Sequence, residues 1–350
     1  MIKNINIGFI GCGYWGPNLI RNLQQLPNVY IKAICDIDEE RLKSLRSNYI
    51  NVEFTTHYIN LLEDKHIDAV VIATPAQTHY ELTKAALFAD KHVLVEKPLA
   101  LSSSECRELI NLSEKRRKIL MVGHTFEYNA AVNKVKEYIE SGELGKIYYI
   151  YSQRLNLGRV RQDVNAMWNF APHDISIILY WLNKEPLRVS ARGFRYLQHD
   201  IEDVAYVILD FPEGVSAHIH ISWLDPNKVR MMTVVGSKKM VVYDDVSTTS
   251  KIRVYDKGFV KNNELGSFEE FDSFGKFQLI QRAGNLVIPK FDFVEPLKVE
   301  CSHFVECIEN NKKPLTDGFD GLRVVKVLEA AQKSMDNNGM SIEIEGRDEG

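Results

Sequence analysis

A compact apolar run, INIGFI (Ile5–Ile10), leads directly into Gly11-Cys12-Gly13-Tyr14-Trp15-Gly16, and helical spacing resumes in PNLIRNLQQL from Pro17. A buried strand, three glycines at these intervals and a helix form the opening of a dinucleotide-binding βαβ unit. The first glycine permits the tight turn and the second lets the backbone approach a diphosphate. The third lets helix and strand pack closely, and the positive helix end attracts the phosphates. Asp36 closes the next apolar run, 29–35, about 20 residues past the last glycine, where an acid bonds the ribose hydroxyls. An anion there repels a 2′-phosphate, so the expected cofactor is NAD. Tyr14 and Trp15, inside the turn, are carried with Gly11, Gly13, Gly16 and Asp36 as cofactor contacts.

The first third of the chain keeps alternating strand and helix. Apolar runs at 68–73, 92–95 and 119–122 are separated by helical segments such as HYELTKAALFA, and Ser102 to Glu105 has capping-box spacing. The expectation is an α/β fold whose N-terminal domain, residues 1–122, is a doubly wound parallel Rossmann sheet. The pattern then changes. One helical segment ends at Gly142, a second is read as DISIILYWL, and strands follow at 187–196, 204–211, 215–223, 230–235 and 240–243. Residues 244–295 read as polar and irregular, and two helices close the chain. Residues 123–350 are therefore expected to be a C-terminal α+β domain with a large, mostly antiparallel open sheet, serving substrate binding and oligomerisation.

Chemistry-bearing residues cluster at the expected carboxyl ends of strands, where open α/β sheets bind ligands. Thr74-Pro75 follow the 68–73 strand, with His79 at the next helix start, either incidental or part of the same rim. Glu96 and Lys97 end the 92–95 strand, and Pro98 cannot continue the ladder and can be cis. A lysine there can reach a nicotinamide and stabilise a developing alkoxide; the alternative is a strand-end ion pair. AMWNFAPHDISI reads as a helix start with Asn169 as cap, Pro172 in the first turn and Asp174 at the positive end. Asn169 and His173, four apart, share a helix face. In a first turn the dipole favours the neutral imidazole, the state a general base requires. Trp168 beside them either walls the nicotinamide or packs. Arg154, Arg159 and Arg161, read as a polar loop, either clamp a carboxylate or phosphate or serve the surface. His218 and His220 alternate along a strand without a third ligand, so no metal is expected.

Together GFIGCGYWG, CDIDEERL, IATPAQTHYE, VEKPLAL, LGKI and WNFAPHDISI, with EPLKVECSHFVECI and PLTDGFDGLRVVKVLEAAQKS near the C-terminus, resemble the Gfo/Idh/MocA family of sugar oxidoreductases. The resemblance implies a nicotinamide cofactor, a sugar or polyol substrate, and an open sheet that builds homodimers or homotetramers. It makes Lys97 the residue that bonds the reacting hydroxyl and His173 the acid/base, with Glu96 and Thr74-Pro75 against the cofactor. Lys97, Arg154, Arg159, Asn169 and His173 are the candidate substrate contacts. WNFAPHDI looks most like the branch that oxidises nucleotide-linked sugars at C3. The family commonly has an Asp where this chain has Asn169, which can hydrogen-bond but cannot accept a proton at neutral pH.

The expected activity is NAD-dependent oxidation of a UDP-GlcNAc- or UDP-GlcNAcA-type sugar to a 3-keto sugar, for amino-sugar and polysaccharide precursors. The alternatives are a ketosugar reductase, an inositol or free-sugar dehydrogenase, and a non-enzymatic dinucleotide-dependent regulator. The net charge of −4 suggests neither a nucleic-acid nor a membrane partner. Five cysteines without CxxC spacing argue against disulfides and zinc and, with no secretory leader pattern or long apolar run, lead to the expectation of a cytoplasmic protein.

Overall fold

The computed structural model describes residues 4–158, 160–261 and 279–344. They group into two compact units: residues 4–129 with Val294–Gln332, and the described residues of 130–293 with 333–344.

The first unit opens with β1 (Ile5–Ile10), α1 (Gly16–Gln24), β2 (Val29–Cys35), α2 (Glu39–Arg46), β3 (Glu53–Thr55) and α3 (Tyr58–Glu63). β4 (Ala69–Ile72), α4 (His79–Phe88), β5 (His92–Glu96), α5 (Ser103–Arg116) and β6 (Leu120–Gly123) complete the alternation. All these strands pair in parallel, in the order β3-β2-β1-β4-β5-β6. This is the dinucleotide-binding order with its reversal between β1 and β4. β4 and β6 are buried at every position, which accounts for their continuous apolar reading. The Ser102 box forms: its side chain accepts from the Glu105 amide while Glu105 accepts from the Ser102 amide. α5 ends at Arg116, Arg117 caps it in the left-handed region, and the basic residues Lys115 and Arg116 stand in its last turn, at the negative helix end.

The second unit contains α6 (Ala130–Glu140), β7 (Ile147–Leu157), α7 (Ala166–Leu182), β8 (Arg188–Phe194), β9 (Val204–Asp210) and β10 (Ser216–Ser222). β11 (Leu224–Gly236), β12 (Met240–Asp244), β13 (Ile252–Tyr255), β14 (Gly258–Lys261), β15 (Leu279–Arg282) and β16 (Leu286–Val287) follow. Next in the chain come α8 (Pro296–Asn310), which groups with the first unit, and α9 (Gly318–Asp336), most of which does too; β17 (Ile342–Glu343) then groups with the second. The second sheet runs β16-β13-β12-β11-β7-β10-β9-β8-β17 and is antiparallel except at β7–β10.

Three expectations change. The polar loop containing Arg154 is the strand β7, flanked by β11 and β10. Its inward face carries Ile150, Ser152 and Arg154, all buried, so its alternation was hidden by polar residues in core positions. Residues 244–295, read as irregular, contain β13 and the short strands β14, β15 and β16. Third, a boundary at 122/123 puts everything after it in the second domain, whereas Val294–Gln332 clusters with the first unit. The reason is α8: its apolar stripe Leu297, Cys301, Phe304, Val305 joins the core of Ile5, Ile7, Leu19, Leu23 and Ile34. Arg21 and Glu295 also pair at 2.7 Å.

Candidate active site

The glycine turn is built as its spacing demands. Gly11 has φ +98°, and a Cβ there would lie 2.6 Å from the Ala73 carbonyl oxygen. A Cβ on Gly16 would lie 2.4 Å from the Gly11 carbonyl oxygen, so the third glycine lets α1 close on the turn. Around Gly13 a Cβ would meet nothing within 4 Å, leaving its backbone open to approach. The N-cap of α1, Trp15, makes no side-chain cap; Pro17 has no N–H, and the Asn18 amide donates to the Trp15 carbonyl at 3.0 Å. Tyr14 is almost fully exposed and Trp15 partly so. Asp36 is locked beside the turn: it accepts the Cys12 amide at 2.6 Å and the Asp38 amide at 2.9 Å. The exposed Arg41 guanidinium lies 3.6 Å from the same carboxylate.

Two adjacent strand ends supply the next group. After β4, half-buried Thr74 shares a 2.7 Å hydroxyl bond with Thr78, and Pro75 is exposed. After β5, half-buried Glu96 and Lys97 lead into a cis Lys97–Pro98 bond. The Lys97 amide donates to Glu96 Oε2 at 3.3 Å, and the Trp15 indole N–H also bonds the Glu96 carboxyl. Desolvation pushes Glu96 up to about 7, opposed by the Lys97 charge and these two donors. Gly123, opposite Glu96 on β6, makes room for it, because a Cβ there would meet the carboxyl at 3.1–3.2 Å.

His79, left open between an incidental position and a place on the cofactor rim, is 1% exposed and lies beneath the surface. Its Nδ1 is 2.7 Å from the Pro98 carbonyl and its Nε2 2.9 Å from the Thr74 carbonyl.

Sequence reasoning missed several buried acids here. Glu300 is fully buried, takes the Thr125 hydroxyl at 2.7 Å, and is pushed well above the usual carboxylate range by burial and by Glu96. Leu297, Glu300, Cys301 and Phe304 follow the i, i+3, i+4, i+7 core spacing of α8, so an acid on that stripe was the available signal. His124, Glu127 and Asp320, also buried, bring possible ligand atoms within 4.8 Å of one another. His124 Nδ1 already bonds Asp320 Oδ2 at 2.6 Å.

In the second unit the start of α7 differs from the expectation. The cap is Asn165, whose Oδ1 accepts the Trp168 amide at 3.0 Å, so Asn169 lies inside the helix. Glu202 fixes this end by accepting from the Asn165 amide group at 2.8 Å and from the Ala166 N–H at 2.9 Å. Pro172 is therefore interior, and His173 is about two turns from the N-terminus. The first-turn dipole argument for His173 no longer applies, because that field fades beyond the terminal turn. Asn169 and His173 remain four apart on one face of α7, both half-buried, with half-buried Trp168 beside them.

Asp174 is not an end charge either. It is buried and takes Arg154 in a two-pronged pair, Nε at 2.8 Å and Nη2 at 3.0 Å. Arg154, 5% exposed, is raised further above its usual value by this partner and stays charged. Its fork faces Asp174, so the expected substrate clamp becomes the tie between α7 and β7. Arg161 pairs with Asp163 at 2.8 Å, and Arg159 lies outside the described residues.

Residues 5–124 match the family model described as an oxidoreductase family with an NAD-binding Rossmann fold, and residues 132–242 match the GFO/IDH/MocA C-terminal domain. The chain belongs to the Gfo/Idh/MocA oxidoreductase family. It is 28% identical, over 99% of its length and 98% of the relative's, to the uncharacterized oxidoreductase YrbE of Bacillus subtilis. It is 25% identical to the myo-inositol 2-dehydrogenase of Thermotoga maritima over 95% of this chain and 96% of that one. The solved UDP-N-acetylglucosamine 3-dehydrogenase GnnA of Acidithiobacillus ferrooxidans superposes with a TM-score of 0.76 at 22% identity, over 95% and 98% of the two chains.

As a Gfo/Idh/MocA member the chain is an oxidoreductase that uses NAD, and its first unit fits that cofactor. Open backbone at Gly13 and the positive N-terminal end of α1 suit a diphosphate, and the fixed Asp36 carboxylate suits a ribose diol. Asp36→Ser should raise KM for NAD about tenfold, the loss of one charge-assisted bond of ~1.5 kcal/mol. It should also admit NADP, since Arg41 remains beside the position. Initial rates with each cofactor check this; an unchanged NAD/NADP ratio contradicts it. Among the described residues, no helix is long and apolar enough to cross a membrane.

Proposed function

We propose that this oxidoreductase oxidises the C3 hydroxyl of a nucleotide-linked hexose of the UDP-GlcNAc or UDP-GlcNAcA type, giving a 3-keto sugar. The observation that carries the reading is the α7 face on which Asn169 and His173 of WNFAPHDI lie four apart, half-buried, with Trp168 beside them. NAD, when bound, supplies the hydride acceptor. The chain's own residues handle the rest. The Lys97 ammonium donates to the reacting hydroxyl oxygen and stabilises the alkoxide as the C3 hydrogen leaves with its electron pair. His173 accepts the hydroxyl proton, a role Asn169 cannot share. Thr74, Pro75 and the Glu96–Trp15 pair border the cofactor.

A second reading, oxidation of a free cyclitol, is favoured by the myo-inositol 2-dehydrogenase similarity across 95% of the chain. The test is incubation with NAD and UDP-GlcNAc, UDP-GlcNAcA, myo-inositol or scyllo-inositol. NADH absorbance should rise, and the sugar should lose two mass units, with a nucleotide sugar. Turnover of an inositol and of no nucleotide sugar overturns the first reading in favour of the second.

We also propose that a second copy of the chain covers the sheet face opposite α6 and α7. That face exposes Phe194, Tyr206 and Ile208 and carries ring stacks: Tyr206 on His220 at 4.4 Å and Tyr151 on His218 at 5.5 Å. Light scattering should give a multiple of 40.2 kDa for the native chain. Ile208→Glu should give the single-chain mass with the melting temperature of an isolated fold. A native chain that is already monomeric removes the proposal.

A further inference from the structure

His79 is a buried ring whose two nitrogens both face backbone carbonyls, and those carbonyls belong to two different loops. Thr74 follows β4 and Pro98 follows β5, neighbouring strands paired from Ala69↔His92 to Ile72↔Val95. The ring stands between them at 2.9 Å and 2.7 Å. It is also the first residue of α4, so helix, loop and loop meet on one side chain. A carbonyl only accepts, and a neutral imidazole has one N–H to give. Burial and the Lys97 charge lower the imidazolium form and the two carbonyls raise it, so the ring donates to one loop when neutral and ties both when protonated.

We propose that His79 is a positioning residue: it is the strut that sets the Lys97 turn at a fixed distance from the Thr74–Pro75 turn. The functional part of this inference rests on the reading of Lys97 as the group that bonds the reacting hydroxyl. Lys97 immediately precedes the carbonyl-bearing Pro98, so a shift of that turn moves the ammonium directly. A displacement near 1 Å at a reacting group costs about 100-fold in rate. No cofactor contact by His79 is needed, and its burial leaves none.

The two nitrogens can be separated by substitution. An amide nitrogen introduced by His79→Asn occupies the Nδ1 position and can donate to the Pro98 carbonyl. One introduced by His79→Gln extends to the Nε2 position and can donate to the Thr74 carbonyl. His79→Asn should keep kcat within about threefold while NADH affinity, read by its fluorescence, weakens about fivefold or more. His79→Gln should keep NADH affinity but lose about 30-fold or more in kcat with the sugar that the native enzyme turns over. Amide hydrogen exchange across residues 95–101 should quicken in His79→Gln and His79→Ala and stay native in His79→Asn.

The strut is overturned if the Asn and Gln variants lose kcat and NADH affinity alike, or if exchange across 95–101 is native in His79→Gln. Exchange and NADH binding need no substrate. If no sugar is turned over, the substrate reading fails while these two readouts still decide the strut.

Discussion

Lys97→Met should bind NADH within about twofold of the native enzyme and turn over its sugar about 10³-fold more slowly. Methionine keeps the length and apolar stem of lysine and removes only the ammonium. If that ammonium acts on the reacting oxygen, the loss falls on kcat, because the charge it stabilises is greatest in the transition state. A variant with raised KM and native kcat would instead make Lys97 a ground-state anchor. Native values for both would remove it from the chemistry. Stopped-flow NADH absorbance with saturating sugar separates these outcomes, and the fluorescence titration with NADH shows that the fold and the cofactor site are intact.

Arg154→Met should be the most destabilising single change considered, by about 3–5 kcal/mol, because it leaves the Asp174 carboxylate buried without its cation. For a unit of this size that corresponds to a fall in Tm of about 6–20 °C, at roughly 2–4 °C per kcal/mol. Asp174→Leu should do similar damage by stranding a guanidinium that is 5% exposed. The double variant should recover most of the loss, since two apolar side chains of similar volume avoid both desolvation costs. Calorimetric scans of the four proteins form a double-mutant cycle, and additive losses would contradict a coupled buried pair. Activity should not recover in parallel. The pair sets how α7 lies on β7, and Asp174 adjoins His173 on that helix, so apolar packing restores stability without restoring the imidazole's placement.

Local rules made much of the first unit legible. The Gly11–Gly16 turn and the Ser102 capping box depend on residues within a few positions of one another, and each stands where its spacing puts it; Asp36, about 20 residues on, follows from the βαβ period. The start of α7 was misplaced by four residues because Asn165 and Asn169 are equally good caps and Pro172 suits a first turn. What selects Asn165 is Glu202, far along the chain, which accepts from both Asn165 and Ala166.

The same contrast holds for charge. The amino-acid sequence alone determined the family, the NAD cofactor and the parallel sheet, because glycine conformations, helix caps and apolar periodicity are short-range properties. Only the tertiary structure decided that Arg154 holds Asp174 rather than facing outward, that His79 spans two loops beneath the surface, and that Glu300 returns on α8 to a buried position near Thr125. These assignments depend on which polar groups lose their water on folding. A buried charge or ring must then find its partner wherever the fold brings one, however distant in sequence.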